Sequence, residues 1–576
     1  MAWNFGDILD AIAPALPADK PALIHIAKDG TADIKTWSEF TARTNNLARQ
    51  LLERGAKPGD KVAFYMRNRS EYAEMLAACF KARLTHVNVN YRYQPDELHY
   101  IFDNSDAQTI VYGDEFAANI AELKPRLGKV GTFLEVTSGT PKNDFADRYE
   151  DLTAIGNGGD LGIERSGDDL LFLYTGGTTG MPKGVMWPAD DLREAQLAAL
   201  RALGPVPETL EEVQAAIKET GGASPMIPAC PMMHGTGLFT AIGNMMNGGC
   251  IVTLDNEHLD PHAIWQAVND HKVEQIAIVG DTFAKPMLRA LEEKPGHYDL
   301  SSLVSIISSG VMWSLEVKRE LIKHMPEAML LDSFGSSEGL GFGSSIFAAG
   351  GEIKTAKFQI GARCKVFDEN DQEVAPGSGK SGVIAVAQPI PLGYYKDEEK
   401  TAKTFRTING VRYSIPGDFC TVEEDGTLTL LGRGSVCINT GGEKVYPEEV
   451  EEALKTHPAV EDALVVGLPD EMHDAAAVGG DPAHRGGSTT SRTRGLACSA
   501  ASSWVSAIRR QMRSADGSTI RCPICRMTVP NTDVGMLRRG AKPDRRRRSV
   551  CSVVRSTRRS SRDSVPPPAS SSERRT

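Results

Sequence analysis

The 576 residues predict an α/β protein of more than one domain. Three observations carry this. The length is several times the roughly 100–200 residues of an ordinary domain. Short apolar runs alternate with amphipathic helical segments through about the first 470 residues. Each strand candidate also runs into a Gly- or Ser-rich turn, an arrangement that places ligand sites at strand ends in layered α/β folds.

Taken in order, residues 61–66 (KVAFYM) read as a strand, followed by a helix that starts at Ser70, a plausible N-cap. Tyr72, Met75, Leu76, Cys79 and Phe80 fall on one face of that helix. Further strands are predicted over 170–174, 275–279, 303–308 and 329–331. Around 382–387 and 427–431 the pattern changes to short strands and turns, as in a small β-rich subdomain. An acidic helix is expected over 447–454, a turn at 457–460 and a strand over 463–466. No repeat at a solenoid period is visible.

The composition narrows the class. With 41% hydrophobic and 24% charged residues, the chain reads as globular. No apolar run approaches the ~18–20 residues of a membrane span. The start, Met1-Ala2-Trp3-Asn4-Phe5, has neither the basic residues nor the apolar stretch of a signal peptide. Ten scattered cysteines suit reduced thiols better than a disulfide framework, so a cytoplasmic location is expected. The net charge of −11 hides a division: residues 475–576 hold 21 Lys+Arg against 6 Asp+Glu, and residues 1–474 hold 43 against 69. Such a swing marks a change in the kind of sequence.

The most informative stretch is residues 173–187, LYTGGTTGMPKGVMW. An apolar strand runs into a segment dense in Gly and Thr and then Pro182-Lys183-Gly184. Glycines let the backbone come close to an anion, and consecutive amide N–H groups form a nest for phosphate oxygens. Thr175, Thr178 and Thr179 add hydroxyl donors around Gly176, Gly177 and Gly180, and Lys183 adds a positive charge. No Gly-Lys is followed by Ser or Thr at the spacing of a Walker A loop. A flexible surface turn is the plain alternative, but such a turn has no need of three threonines and a lysine.

This loop resembles the signature of the adenylate-forming superfamily, which includes acyl-CoA synthetases, luciferases and the adenylation domains of peptide synthetases. Four further stretches follow in the order of that family. Pro231-Met-Met-His234-Gly-Thr-Gly237 resembles its Pro-x-x-His-x-x-Gly segment. Phe334-Gly335-Ser336-Ser337-Glu338 resembles its aromatic-Gly-x-Thr-Glu motif, with Phe for Tyr and Ser for Thr. Pro416-Gly417-Asp418 stands where Thr-Gly-Asp is usual, and Gly432-Arg433 followed by Gly441-Gly442-Glu443-Lys444 resembles the hinge and the opening of the mobile C-terminal domain. The wording of the loops is similar to actinobacterial fatty-acid and steroid-side-chain CoA ligases.

The resemblance implies a large N-terminal domain (1–432) of two α/β subdomains and a small β-barrel-like subdomain. A hinge (433–437) and a small mobile α+β domain, begun here at 438–474, would follow. It implies ATP, Mg²⁺ and CoA as co-reactants with a small-molecule carboxylic acid. The reaction would be ATP-dependent formation of an acyl-adenylate, then of a CoA thioester.

On this resemblance the loop from Thr175 to Lys183 would hold the β- and γ-phosphates, and Glu338 would help to bind Mg²⁺. Phe334 would stack on adenine, Ser336 and Ser337 would lie by the α-phosphate, and Asp418 and Arg433 would bind the ribose. His234 would stand near the reacting carboxylate, although a lone His beside Met232 and Met233 also suits a core. Gly310, in Ser308-Ser-Gly310-Val-Met-Trp313, would leave space beside the acyl chain. Met232, Met233, Met245 and Met246 would make that pocket wide and adaptable. Gly441 and Gly442 would line the pantetheine tunnel, and Ser435 stands at the hinge position where Asp or Lys is usual. Transfer to a carrier protein, and a non-catalytic acyl or nucleotide binder, are the rival functions.

The last hundred residues depart from the family. Periodicity is lost after 474, and no Gly-Lys motif of the kind that contacts carboxylate and α-phosphate is found; the lysine there, Lys542, does not match. Three readings fit this tail: a frameshift in a GC-rich gene, a basic extension that binds nucleic acid or anionic lipid through Arg545–Arg548, or a zinc module on Cys522 and Cys525. The frameshift accounts for a break that falls inside an unfinished domain. Adenylation by the chain as written is therefore expected to be impaired, and CoA transfer more so.

Overall fold

The computed structural model describes residues 3–176, 181–201, 204–311, 313–350, 357–433, 438–439, 444–445, 464–468 and 476–480. The chain separates into two compact units, Met1–Leu430 and Leu431–Thr576.

The first unit is built on two sheets. The eight-stranded sheet runs, edge to edge, through Gly393–Tyr394, Lys183–Pro188, Leu170–Thr175, Thr85–Asn88, Lys61–Tyr65, Ala107–Gly113, Thr132–Val136 and Asp147–Arg148. The strands from Leu170–Thr175 to Asp147–Arg148 pair in parallel; Lys183–Pro188 and Gly393–Tyr394 add antiparallel edges. The fifteen-stranded sheet has a parallel block of Pro21–Ile26, Cys250–Leu254, Pro225–Pro228, Gln275–Ile278, Ser305–Ser309 and Met329–Ser336. Beyond Gly339–Phe347 it continues antiparallel. Ser381–Ala387 there divides its pairing among Cys364–Phe367, Val411–Ser414 and Asp418–Val422, giving the short-stranded region expected near 382.

Alternation along the parallel strands sorts side chains to two faces. Ile276, Ile278 and Ile306 join a core with Trp265, Met287 and Leu321 from the helices Pro261–His271, Gly280–Glu293 and Leu315–His324. Met226, Ile251 and Ala277 face the other way, toward the helix Gly235–Met246 and the first sheet, in the largest core.

The helix expected from Ser70 spans Ser70–Lys81, but Arg69 is its N-cap position and Ser70 is already helical. The Ser70 hydroxyl is buried with no hydrogen-bond partner among the described residues, so its small size rather than its capping oxygen suits the site. The one-sided face expected for this helix is also incomplete. Glu74 and Lys81 are buried too, and each is paired: Glu74 with Arg43 at 2.5 Å, Lys81 with Asp10 at 3.0 Å. Burial of such charges requires partners of this kind.

In the second unit Leu464–Leu468 pairs antiparallel with Ala476–Gly480, so strand pairing reaches past the composition boundary at 474/475. The helix expected over 447–454, the hinge 434–437 and the tail beyond 480 lie outside the described residues. Among the described residues no helix is long and apolar enough to cross a membrane.

Candidate active site

Strands β1 (Leu170–Thr175) and β2 (Lys183–Pro188) form a hairpin in which Thr175 faces Lys183 and Tyr174 faces Gly184. The Gly- and Thr-rich loop leaves from this end of the sheet. Gly184 is required by proximity: a Cβ there would come 2.7 Å from the Tyr174 ring. Thr175 is half-buried and Gly176 exposed; Gly177, Thr178, Thr179 and Gly180 lie outside the described residues.

Lys183 does not stand alone at the loop mouth. Its ammonium is ion-paired with Asp397, which also caps the helix Glu398–Thr404 by accepting from the Lys400 N–H at 2.9 Å. The Lys183 hydrogen bond, opposed in part by desolvation, holds the Asp397 carboxyl below its ordinary range.

Strand β3 (Met329–Ser336) turns tightly into β4 (Gly339–Phe347), with Ser336 opposite Gly339. Glu338 lies in this turn, and its N–H donates to Ser336 Oγ at 3.2 Å. Two bonds tie the turn to the β2 edge. Tyr394, paired in register with Val185, donates from its hydroxyl to Glu338 Oε1 at 2.8 Å. Trp187 Nε1 donates to the Ser337 carbonyl at 2.9 Å. Thr175, Lys183, Ser336, Ser337 and Glu338 are thereby gathered with Tyr394 and Asp397. Gly335 has room, a Cβ there reaching the Gly339 carbonyl oxygen at 3.4 Å. Phe334 is 9% exposed and packs between Phe342 and Phe358, each 5.5 Å away between ring centres.

His234 is the N-cap residue of α1 (Gly235–Met246), donating its N–H to the Pro231 carbonyl at 3.1 Å. The residue is exposed; desolvation, and then the Arg92 charge, lower its pKa. Neutral imidazole is therefore its form near neutral pH. Gly237 explains the last residue of the Pro-x-x-His-x-x-Gly segment, since a Cβ would meet the Pro231 and Cys230 carbonyl oxygens at 2.6 and 2.8 Å. Gly310 follows the strand Ser305–Ser309 at φ +89°, with Thr236 Oγ1 4.0 Å from a Cβ built there. Its glycine serves the left-handed backbone; the space expected beside it would also accept a Cβ.

Asp418 is 6% exposed at the start of Asp418–Val422, after Gly417 at φ +99°. Arg433 ends the strand Thr427–Arg433, and its side chain, like Gly441 and Gly442, is outside the described residues.

Two asparagines, Asn88 buried and Asn68 half-buried, escaped the sequence reading. Asn88 Oδ1 accepts from the Tyr174 N–H at 2.5 Å; its Nδ2 donates to the Tyr174 carbonyl at 2.9 Å and to the Met233 carbonyl at 2.6 Å. It staples the strand entering the loop to the residue before His234. Asn68 does the same for the rest of that segment, accepting from the Met232 N–H at 2.7 Å and donating to the Pro228 and Cys230 carbonyls at 2.8 and 3.0 Å. Their one sequence signal is an Asn at the end of a strand or in the turn after one. Asp397 had a clearer signal, an Asp just ahead of Glu398-Glu399 as at a helix start.

A cavity of about 510 Å³ is lined by α1, the strands Gln275–Ile278 and Ser305–Ser309, and the helices Phe5–Ile12, Ala189–Arg201 and Leu210–Thr220. Of the four methionines expected to shape an acyl pocket, Met246 lines it. Met232, Met233 and Met245 are at most 2% exposed and fill the packing instead, because their backbone positions turn them inward.

Comparison with known proteins gives the family and the fold. The family described as AMP-binding enzyme matches residues 9–395. The 3-oxocholest-4-en-26-oate–CoA ligase of Rhodococcus rhodochrous is 42% identical over 484 residues, covering 82% of this chain and 85% of that protein. The medium/long-chain-fatty-acid–CoA/3-oxocholest-4-en-26-oate–CoA ligase of Mycobacterium marinum is 41% identical, covering 84% of this chain and 88% of that one. In fold, the crystal structure of the anthranilate CoA ligase AuaEII with anthranoyl-AMP matches with a TM-score of 0.70 at 20% identity, over 83% of this chain and 86% of that one.

Proposed function

The chain belongs to the AMP-binding enzyme family, and from that premise we propose that it is an AMP-forming acyl-CoA ligase for a fatty or sterol-derived carboxylic acid. The observation that carries the reading is the gathering of Lys183, Glu338, Tyr394 and Asp397 at the mouth of the Gly/Thr loop, with the His234 segment stapled alongside by Asn88.

In the first step a carboxylate oxygen of the acid attacks the α-phosphorus of ATP. The C–O–P bond forms, the bond to the β-phosphate oxygen breaks, and pyrophosphate leaves. Bringing two anions together makes positioning and charge neutralisation the main tasks. Lys183 exchanges Asp397 for the β- and γ-phosphates, and the amides of 176–180 cradle them. Neutral His234 lies beside the carboxylate and adds no charge that would hold it back from attack. Phe334 is the residue proposed to stack on adenine, and Asp418 the one proposed to take the ribose hydroxyls.

Glu338 is the residue that would hold Mg²⁺. Among the described residues no group of three or more His, Cys, Asp or Glu forms a metal cage. A single carboxylate oriented by Tyr394 still fits, since this ion takes few protein oxygens and completes its shell from phosphate and water. Bound there, it would neutralise charge on the phosphates.

In the second step the CoA sulfur attacks the acyl carbonyl, the thiol proton is lost, and AMP leaves. Gly441 and Gly442 are the residues proposed to pass the pantetheine arm. Acid-dependent exchange of labelled pyrophosphate into ATP tests the first step, and mass spectrometry of the thioester tests the second. Slow exchange and little thioester are expected from the chain as written, for want of the C-terminal lysine motif. Exchange that ignores the acid would contradict the function, and full thioester yield would contradict the impairment.

A further inference from the structure

Helix α1 and the strand Ser305–Ser309 run side by side away from His234. Thr236, Thr240, Gly243 and Asn247 recur at the spacing of one helix face. Thr236 approaches Gly310 at the upper end, and Thr240, Gly243 and Asn247 line the 510 Å³ cavity. On the strand, Ile306 enters the opposite core and Ser308 accepts from the Gly280 N–H on that same side. Ser305, Ile307 and Ser309 therefore face α1, and Ser305 and Ile307 line the cavity. An acyl channel running from Gly310 between these two elements would lead into the cavity, which Arg193, Gln196 and Glu274 also line. At about 3.3 Å per residue, Ser305 lies roughly 13 Å below Ser309.

Polarity changes along this channel. Thr240 returns its hydroxyl to its own helix, donating to the Thr236 and Gly237 carbonyls at 2.6 and 3.2 Å, which leaves its methyl group for the cavity. At the far end Gln275, the register partner of Ser305, donates from Nε2 to Ser305 Oγ at 3.3 Å. With that oxygen accepting, the Ser305 O–H is directed elsewhere. A bare hydrocarbon end gains nothing from it and desolvates it, whereas a ligand oxygen accepts its bond.

We propose that Ser305, oriented by Gln275, is a specificity-determining residue that recognises a ketone or hydroxyl oxygen at the end of the acid remote from its carboxylate. The inference rests on the acid-activating reading given above. Equilibrium binding of two long-chain acids of equal length, one unsubstituted and one with a ketone near its ω end, tests it in the full chain. The unaltered protein should favour the keto acid by roughly tenfold, the worth of one hydrogen bond. Ser305→Ala should bring the preference to within about twofold while the unsubstituted acid binds as before, and Gln275→Met should give an intermediate loss. An unchanged preference in both variants, or equal weakening of both acids, overturns the assignment alone. Failure of either acid to bind the unaltered protein overturns it together with the acid-activating function.

Discussion

Replacing Asn88 by Ala removes a staple whose contribution can be worked from its bonds. The residue is 2% exposed and Tyr174 4%, so neither can turn to water when the amide is lost. The Tyr174 N–H loses its acceptor, and the Tyr174 and Met233 carbonyls each lose a donor. An unsatisfied buried donor costs ~1–3 kcal/mol and a carbonyl with a second lone pair less, so Asn88→Ala should destabilise the first unit by about 3 kcal/mol. Asn88→Asp separates hydrogen bonding from size. Its carboxylate can still accept from Tyr174 N–H, but its second oxygen faces two carbonyl oxygens. Its pKa in the folded protein must rise above the ordinary ~3.9 of Asp. A raised carboxyl binds more protons folded than unfolded, so the stability it contributes is present at low pH and lost as pH rises through the folded pKa. Asn88→Asp should therefore be less stable than Asn88→Ala at pH 8 and recover toward pH 5. Urea unfolding followed by far-UV circular dichroism reads both. An Ala variant within about 0.5 kcal/mol of the parent, or an Asp variant as stable as Ala at pH 8, would refute the reasoning.

Three further outcomes follow from the same geometry. Gly237→Ala drives a Cβ against two backbone carbonyls and should cost about 1–3 kcal/mol in thermal unfolding, with weaker acid binding because the His234 segment shifts. His86 is fully buried between Tyr72 and the Phe172 carbonyl, and desolvation lowers its pKa to about 3. The unfolded chain protonates it near pH 6.5 and the folded chain does not, so stability should fall between pH 6.5 and 3 by at most roughly 5 kcal/mol; a His86→Gln variant that remains folded should show a flatter acid limb. Asp397→Asn frees Lys183 from a partly exposed ion pair worth under about 1 kcal/mol, so ATP should bind up to roughly fivefold more tightly by calorimetry, whereas Lys183→Met should weaken it.

Periodicity and turn chemistry made the parallel strands legible, because buried strands that end in Gly or Ser carry their own punctuation. The predicted runs at 170–174, 275–279 and 329–331 lie on Leu170–Thr175, Gln275–Ile278 and Met329–Ser336. Residue type alone suggested a phosphate-binding role for the Gly/Thr loop that ends in Lys. Asn68 and Asn88 were not legible, since an asparagine that bonds three backbone groups looks the same in sequence as one that ends a turn. Nor was the pairing of Lys183 with Asp397, which are 214 positions apart. Nor was the burial of Met232, Met233 and Met245 legible, because composition cannot say which side of a backbone segment faces inward.

The central claim is that the first unit builds a site for an acyl-adenylate, and a hydrolytically stable analogue, an acyl sulfamate of adenosine, tests it without requiring turnover. The analogue carries both the adenosine and the acyl half. The account expects it to bind the full chain more tightly than ATP or the acid alone and to raise the melting temperature, with both effects reduced by His234→Ala and Asp418→Ala. Binding no tighter than that of ATP, or unaltered in both variants, would contradict it.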